Sequence, residues 1–187
     1  LELDGFLTVP RTSNGRNQPM VVIPHGGPIG PYDSWEYEAD SQFLASRGYA
    51  VLQVNYRGSG DRGFNFERSG YKQFADRIQQ DIIEGTRWAI EQGHADRNRV
   101  CIYGASFGGY SSLMAPIRAP ELFKCSINYV GISDYQIWFD RADTRRSQGG
   151  RNYFEQAIGT DAETVRAVSP IYHLDRFNIP VLSLIHI

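Results

Sequence analysis

The sequence predicts an α/β fold built on a mostly parallel, doubly wound sheet, and three observations carry that prediction. Short apolar, β-rich runs recur along the chain; they are continuous rather than alternating, as in strands buried on both faces; and helix-period stretches lie between them. The runs are residues 20–23, 50–54, 100–103, 125–130 and 181–185. Residues 34–47 carry Trp35, Ala39, Phe43 and Leu44 and then Gly48 in a C-cap position, so they read as a helix feeding the next strand. Residues 74–92 repeat apolar side chains at Phe74, Ile78, Ile82 and Ala89, broadened by Ile83, Trp88 and Ile90, and stop at Gly93. In a sheet of this kind ligands bind at the carboxyl ends of the strands, so the residues after each strand are the ones to inspect.

A chain of 187 residues with 41% hydrophobic content suits one domain with a real core. The net charge of -2, with no Lys/Arg block, predicts no nucleic acid partner and no anionic membrane surface. No apolar run approaches the roughly 20 residues that cross a bilayer. The two cysteines, Cys101 and Cys125, both lie in apolar strand-like runs and read as buried free thiols. The polar stretch 140–151, with four Arg and paired glycines, reads as a loop, either a solvated connection or a contributor to substrate access.

Three strand ends carry chemistry. Directly after run 100–103 comes Gly104-Ala105-Ser106-Phe107-Gly108-Gly109-Tyr110, followed by a helix-like stretch through Leu113 and Met114. This is a nucleophile elbow: a serine on a sharp turn between strand and helix projects its oxygen into a cleft, and the flanking glycines let the two elements approach. The helix that begins there adds partial positive charge for a developing anion. After run 20–23 comes Pro24-His25-Gly26-Gly27-Pro28, whose backbone amides can face a ligand. In the α/β-hydrolase fold such a loop gives one oxyanion-hole donor, here Gly27, and the residue after the nucleophile, Phe107, gives the other. His25 precedes the nucleophile, whereas the usual order runs Ser, Asp, His, so it is expected to shape the loop rather than act as a base. After run 50–54, Asn55-Tyr56-Arg57-Gly58-Ser59-Gly60 allows a tight rim loop in which Arg57 can salt-bridge a rim carboxylate or meet substrate, structural pairing being the commoner fate. Pro116, inside the elbow helix, is expected to kink or end it.

The order and spacing of PHGGP, VNYRGSG, QQDIIEGTRWAIEQG, YGASFGGY and SPIYHLDRFNIPVLSLIH resemble the catalytic domain of the prolyl oligopeptidase family of serine peptidases, nearest its acylaminoacyl-peptidase-like branch. The resemblance implies a peptide substrate, hydrolysis through an acyl-enzyme on Ser106, an oxyanion hole from Gly27 and Phe107, and neither metal nor organic cofactor. It also implies a β-propeller before the hydrolase domain and a triad Asp and His after residue 187. The chain opens on Leu1 rather than Met and stops inside an apolar run, so it reads as a piece, residues 1–187 of a partial hydrolase domain cut before its last strand. His186 aligns with a strand-end histidine of the family that is not the catalytic one. Asp134 and His173 are weaker candidates for acid and base within the chain, and a piece lacking both partners is expected to be inactive or nearly so. An esterase-type acyl hydrolase shares this machinery, and a non-catalytic interaction module can retain the fold.

Overall fold

The computed structural model describes residues 1–185. Six strands form one sheet: β1 (Asp4–Thr8), β2 (Gln18–Val22), β3 (Ala50–Asn55), β4 (Ala95–Ala105), β5 (Cys125–Tyr129) and β6 (Val181–Leu184), in the order β1-β3-β2-β4-β5-β6. β1 runs antiparallel to β3 and every other pairing is parallel. The five predicted runs all became strands. β1 carried no such signal, because an outer strand holding Asp4 and Gly5 has only partly buried Phe6 and Leu7 to advertise it.

Helices α1 (Ala39–Ser46) and α3 (Arg77–Glu91) cover opposite faces. The Ser41 hydroxyl of α1 donates to Gln53 Oε1 at 3.1 Å, whereas Gly85 of α3 lies so close to Val54 that a Cβ there would sit 2.7 Å from its Cγ2. Gln53 and Val54 are consecutive in β3 and therefore point to opposite sides, so the sheet is doubly wound. Short α2 (Phe64–Arg68) precedes α3, and α4 (Phe107–Arg118) packs beside α3 against β4 and β5. Ile78, Ile82 and Ile83 of α3 and Tyr110, Met114 and Ile117 of α4 supply much of the core. Buried Gln79 ties the two helices, donating to the Phe74 carbonyl at 2.8 Å and to Ser111 Oγ at 3.1 Å.

From β2 the chain crosses outward to β3 and then returns past β2 to β4, so the winding reverses between β2 and β4. These neighbours are in register at Val22 and Ile102, which brings the loops at their carboxyl ends together at the topological switch point.

Several expectations need correction. The helix expected over 34–47 begins only at Ala39, with Glu38 capping the amides of Asp40 and Ser41; Trp35 is 88% exposed and contributes no buried face. The loop expected over 140–151 is largely helical: α5 (Tyr135–Arg141), a 3₁₀ turn Asp143–Arg146, and the first turn of α6 (Gln148–Ala157), capped by Ser147 on the Gly150 amide. Its polarity marked an exposed helical surface, and caps from Asp134 and Ser147 outweighed the glycines. α7 (Ala162–Val168) follows, again capped by an acidic residue, Asp161.

Cys101 and Cys125 are not free thiols but a disulfide, with Cα atoms 4.7 Å apart. They are register partners on adjacent parallel strands, so both Cβ atoms leave the same side of the sheet. That side, shared with Tyr103, is the one carrying the eight-residue α1, and it leaves Cys101, Cys125 and Ile127 only half-buried. The apolar runs suggested burial on both faces, which holds for β3 but not here. Among the described residues β6 is the outermost strand on its side of the sheet, with Val181, Leu182 and Leu184 exposed. His186 and Ile187 lie outside the described residues.

Candidate active site

β4 ends at Ala105, α4 begins at Phe107, and Ser106 forms the whole of the connection. Its backbone takes φ 56° and ψ -118°, a conformation that side chains rarely adopt, and the residue is exposed. The surrounding glycines explain how so sharp a turn fits. A Cβ on Gly104 would strike the backbone of Gly108, one on Gly108 would strike the Pro24 carbonyl, and one on Gly109 would lie 2.6 Å from Asn128 Oδ1. The strand, the helix and the loop after β2 therefore meet backbone to backbone. Asn128 is held in turn by donation from the Gly131 amide to its Oδ1 at 2.9 Å.

The Ser106 amide donates to the Tyr129 carbonyl at 3.0 Å, which anchors the elbow to the end of β5. The amide of Phe107, at the first position of α4, has no acceptor among the described residues, and neither has the amide of Gly27. Gly27 has φ 132° and precedes Pro28 through a cis peptide bond. Gly27, Ser106 and Phe107 line one cleft of about 960 Å³. Its walls include Phe74, Tyr135, Ile137, Trp138 and Tyr153, an aromatic and aliphatic surface beside the serine. Sequence reasoning singled out none of these residues as a cleft wall. The signal was present in Tyr135, Trp138 and Phe139, which follow the Asp134 cap at helical spacing.

The loop after β2 is clamped by the loop after β3. The Gly30 amide donates to the Gly58 carbonyl at 2.9 Å, and the His25 ring lies flat on Tyr56, 4.2 Å between centroids. His25 Nδ1 is 2.7 Å from the Gly26 carbonyl, and Nε2 is 2.8 Å from Ser59 Oγ. A neutral imidazole protonated at Nδ1 satisfies both contacts, with the Ser59 hydroxyl donating to Nε2. Burial lowers the His25 pKa to about 4, which favours that neutral form. Both nitrogens are thus occupied in holding the loop. Tyr56 completes the clamp by donating to the His25 carbonyl at 2.8 Å.

Arg57 pairs with Asp81 of α3. Its Nε and Nη2 donate to the two carboxylate oxygens at 2.7 Å each, and its amide donates to Asp81 Oδ2 at 3.0 Å. This fork fixes the rim loop to the helix, and Asp81 was not anticipated, since a lone acid in an amphipathic helix reads as solvated. Asp134 lines the cleft, but its Oδ1 caps α5 by accepting from the amides of Gln136 and Ile137. His173 sits in the 3₁₀ segment Pro170–Arg176, with Nε2 3.0 Å from the Ala167 carbonyl, and does not line the cleft. Among the described residues no side chain is hydrogen-bonded to the Ser106 hydroxyl.

Pro116 does not end α4, which runs on to Arg118. The Ser112 carbonyl, four residues earlier, accepts instead from the buried Ser126 hydroxyl at 2.6 Å.

Comparison with known proteins bears on the family and the fold. A model of the prolyl oligopeptidase family matches residues 35–186. The chain is 38% identical over 139 residues to dipeptidyl aminopeptidase BIII of Pseudoxanthomonas mexicana, covering 71% of this chain and 20% of that protein. It is 29% identical to the acylamino-acid-releasing enzyme of Arabidopsis thaliana, covering 92% and 23%. Among solved structures, uncomplexed acylaminoacyl peptidase of Pyrococcus horikoshii superposes with a TM-score of 0.85 at 30% identity, over 98% of this chain and 29% of that one. An acylaminoacyl peptidase in complex with Z-Gly-Gly-Phe-chloromethyl ketone gives 0.84 at 31% identity, covering 98% and 29%. The chain spans roughly a fifth of the length of these curated relatives.

Proposed function

The chain belongs to the prolyl oligopeptidase family of serine peptidases, and from that premise we propose that the protein carrying it hydrolyses peptide bonds of oligopeptides through an acyl-enzyme formed on Ser106. One observation carries this reading: an exposed serine on a strained strand-to-helix turn shares a cleft with two amides, of Gly27 and Phe107, that have no acceptor among the described residues.

In the proposed reaction the Ser106 oxygen adds to the scissile carbonyl carbon, and its proton passes to a general base. The carbonyl oxygen gains negative charge and accepts hydrogen bonds from the Gly27 and Phe107 amides, with the N-terminus of α4 adding favourable potential. Collapse of this intermediate breaks the C–N bond, and the amine leaves carrying the proton. Water then adds to the acyl-enzyme and releases the acid and the free serine. The described histidines do not suit the role of base. His25 holds its loop with both nitrogens, and His173 faces the Ala167 carbonyl away from the cleft. His94 is directed at the Gly15 carbonyl, on the loop that precedes β2, at the far end of the sheet from Ser106. We therefore assign the base and its acid partner to the portion of the relatives' length that this chain does not span.

The apolar cleft wall suits an apolar or aromatic residue on the acyl side of the scissile bond. The phenylalanine-bearing chloromethyl ketone in complex with one related acylaminoacyl peptidase points the same way.

The test uses the natural protein that contains this chain. A fluorophosphonate probe should label it, and Ser106→Ala should abolish labelling; labelling that survives the substitution removes Ser106 as nucleophile, and no labelling of the parent favours a non-catalytic module. Turnover of a peptide anilide beside a short acyl ester separates peptidase from esterase. Exclusive ester turnover rules out the peptidase assignment.

A further inference from the structure

We propose that the arginine cluster after Trp138 recognises a carboxylate on the bound peptide, with Arg141 joining that cluster to the Ser106 cleft. The inference deepens the peptidase reading and rests on it for what occupies the cleft. Arg141 ends α5 and lines two cavities at once: the cleft that holds Ser106, and an adjoining one of about 590 Å³ whose other cationic lining is Arg145, Arg146 and Arg151.

The chain builds this cluster by folding back on itself. A 3₁₀ turn carries Arg145 and Arg146, Ser147 caps α6, and Gly150 passes so close to Thr144 that a Cβ there would strike its carbonyl. Arg151 thereby returns beside Arg145 and donates to the Arg145 carbonyl at 2.7 Å and to Gln148 Oε1 at 2.8 Å. Arg145 in turn donates to the Asp140 carbonyl.

These acceptors are uncharged, so they orient the guanidinium groups without neutralising them. Within the cluster only Arg146 has an ion pair, with Asp143 at 3.2 Å; among the described residues Arg141, Arg145 and Arg151 have no carboxylate within ion-pair distance. Three arginines without an ion pair around one cavity, of which Arg141 also lines the Ser106 cleft, stand out in a chain whose net charge is -2. Guanidinium forks match the planar geometry of a carboxylate. Asp134, Asp140 and Asp143 interrupt the patch, which disfavours a polyanion tracking across it and suits a single small anion. On a peptide that anion is an Asp or Glu side chain, or the free C-terminal carboxylate.

Three peptides of common core separate the sources: one with an Asp side chain and an amidated C-terminus, one with Asn and a free C-terminus, and one with Asn and an amide. Affinity is measured by fluorescence anisotropy on the natural protein carrying Ser106→Ala, and kcat/KM on the same protein with Ser106 intact. At low ionic strength one carboxylate peptide should bind about two- to fivefold tighter than the neutral one. That ratio should fall towards one in Arg141→Gln and Arg151→Gln, recover in part in Arg141→Lys, and shrink in about 0.5 M salt. Equal binding of all three peptides, or a preference that survives both Gln variants, overturns the inference. A preference that depends on Arg141 without any turnover of the peptides supports the arginine assignment and sinks the peptidase reading instead. Turnover without a carboxylate preference does the reverse.

Discussion

The Ser126 hydroxyl of β5 donates to the carbonyl of Ser112 in α4, the acceptor that Pro116 leaves without its helical partner. The position four residues before an internal proline loses an N–H donor, and a buried carbonyl without one costs about 1–3 kcal/mol. Here a neighbouring strand supplies the donor, so the elbow helix continues through the proline to Arg118. Ser126→Ala should therefore destabilise the protein by about 1–3 kcal/mol. Pro116→Ala, which restores the amide, should recover most of that loss in the double variant. Urea denaturation of the four species gives the coupling; strictly additive effects would show that the two residues do not compensate each other.

The strained turn at Ser106 makes a second prediction. Its φ of 56° with ψ of -118° suits glycine far better than serine. Ser106→Gly should raise stability by about 1 kcal/mol after the entropic cost of a glycine in the unfolded chain. Ser106→Ala removes the same hydroxyl but keeps the strain, and should leave stability nearly unchanged. Equal unfolding midpoints for the two variants would show that no strain is stored at the elbow.

The elements easiest to read in the sequence were those whose signal is local. Ser106 and its glycines form a continuous motif because strand, nucleophile and helix are consecutive, and the helix over 74–92 announces itself through Ile78 and Ile82. What escaped depends on partners distant in sequence. Arg57 finds Asp81 on a helix, and His25 finds Ser59 on another loop, contacts that exist only once β2 and β3 are side by side. Cys101 and Cys125 looked like two buried thiols because each run is apolar; only the parallel register places them opposite each other. The basic stretch around Arg145 read as a loop because it holds only a 3₁₀ turn and the first turn of α6, whose buried apolar residues Phe154 and Ala157 come after Arg151.

That disulfide closes a loop across a sequence separation of 24 and pins β4 to β5 upstream of the elbow. In the chain-entropy account a loop of that size is worth about 3 kcal/mol. Reduction, or the paired replacement Cys101→Ala with Cys125→Ala, should lower the unfolding free energy by about that amount. Denaturation with and without a phosphine reductant checks it. A midpoint insensitive to reductant, together with two thiols titrating in the native protein, contradicts the bond.

The clamp around His25 predicts how stability responds to acid. The folded imidazole has a pKa of about 4 against 6.5 in the unfolded chain, so the unfolded state takes up a proton first as pH falls. Its contribution is fully present above pH 6.5 and is lost as pH falls through 4, in total about 3 kcal/mol. Asp33 acts with opposite sign. Burial, with the nearby Glu38 charge, raises its pKa to about 6 from 3.8, so between those values the folded state holds a proton that the unfolded state lacks, and acidification adds stability. The two groups oppose each other between about pH 6 and 4, and the parent protein should show a shallow profile there. Asp33→Asn should expose the full descent due to His25, whereas His25→Gln should leave a protein that gains stability from about pH 6 to 4. Since the readout is slope rather than absolute stability, packing losses in either variant do not obscure it. Unchanged slopes in both variants would place the acid sensitivity elsewhere.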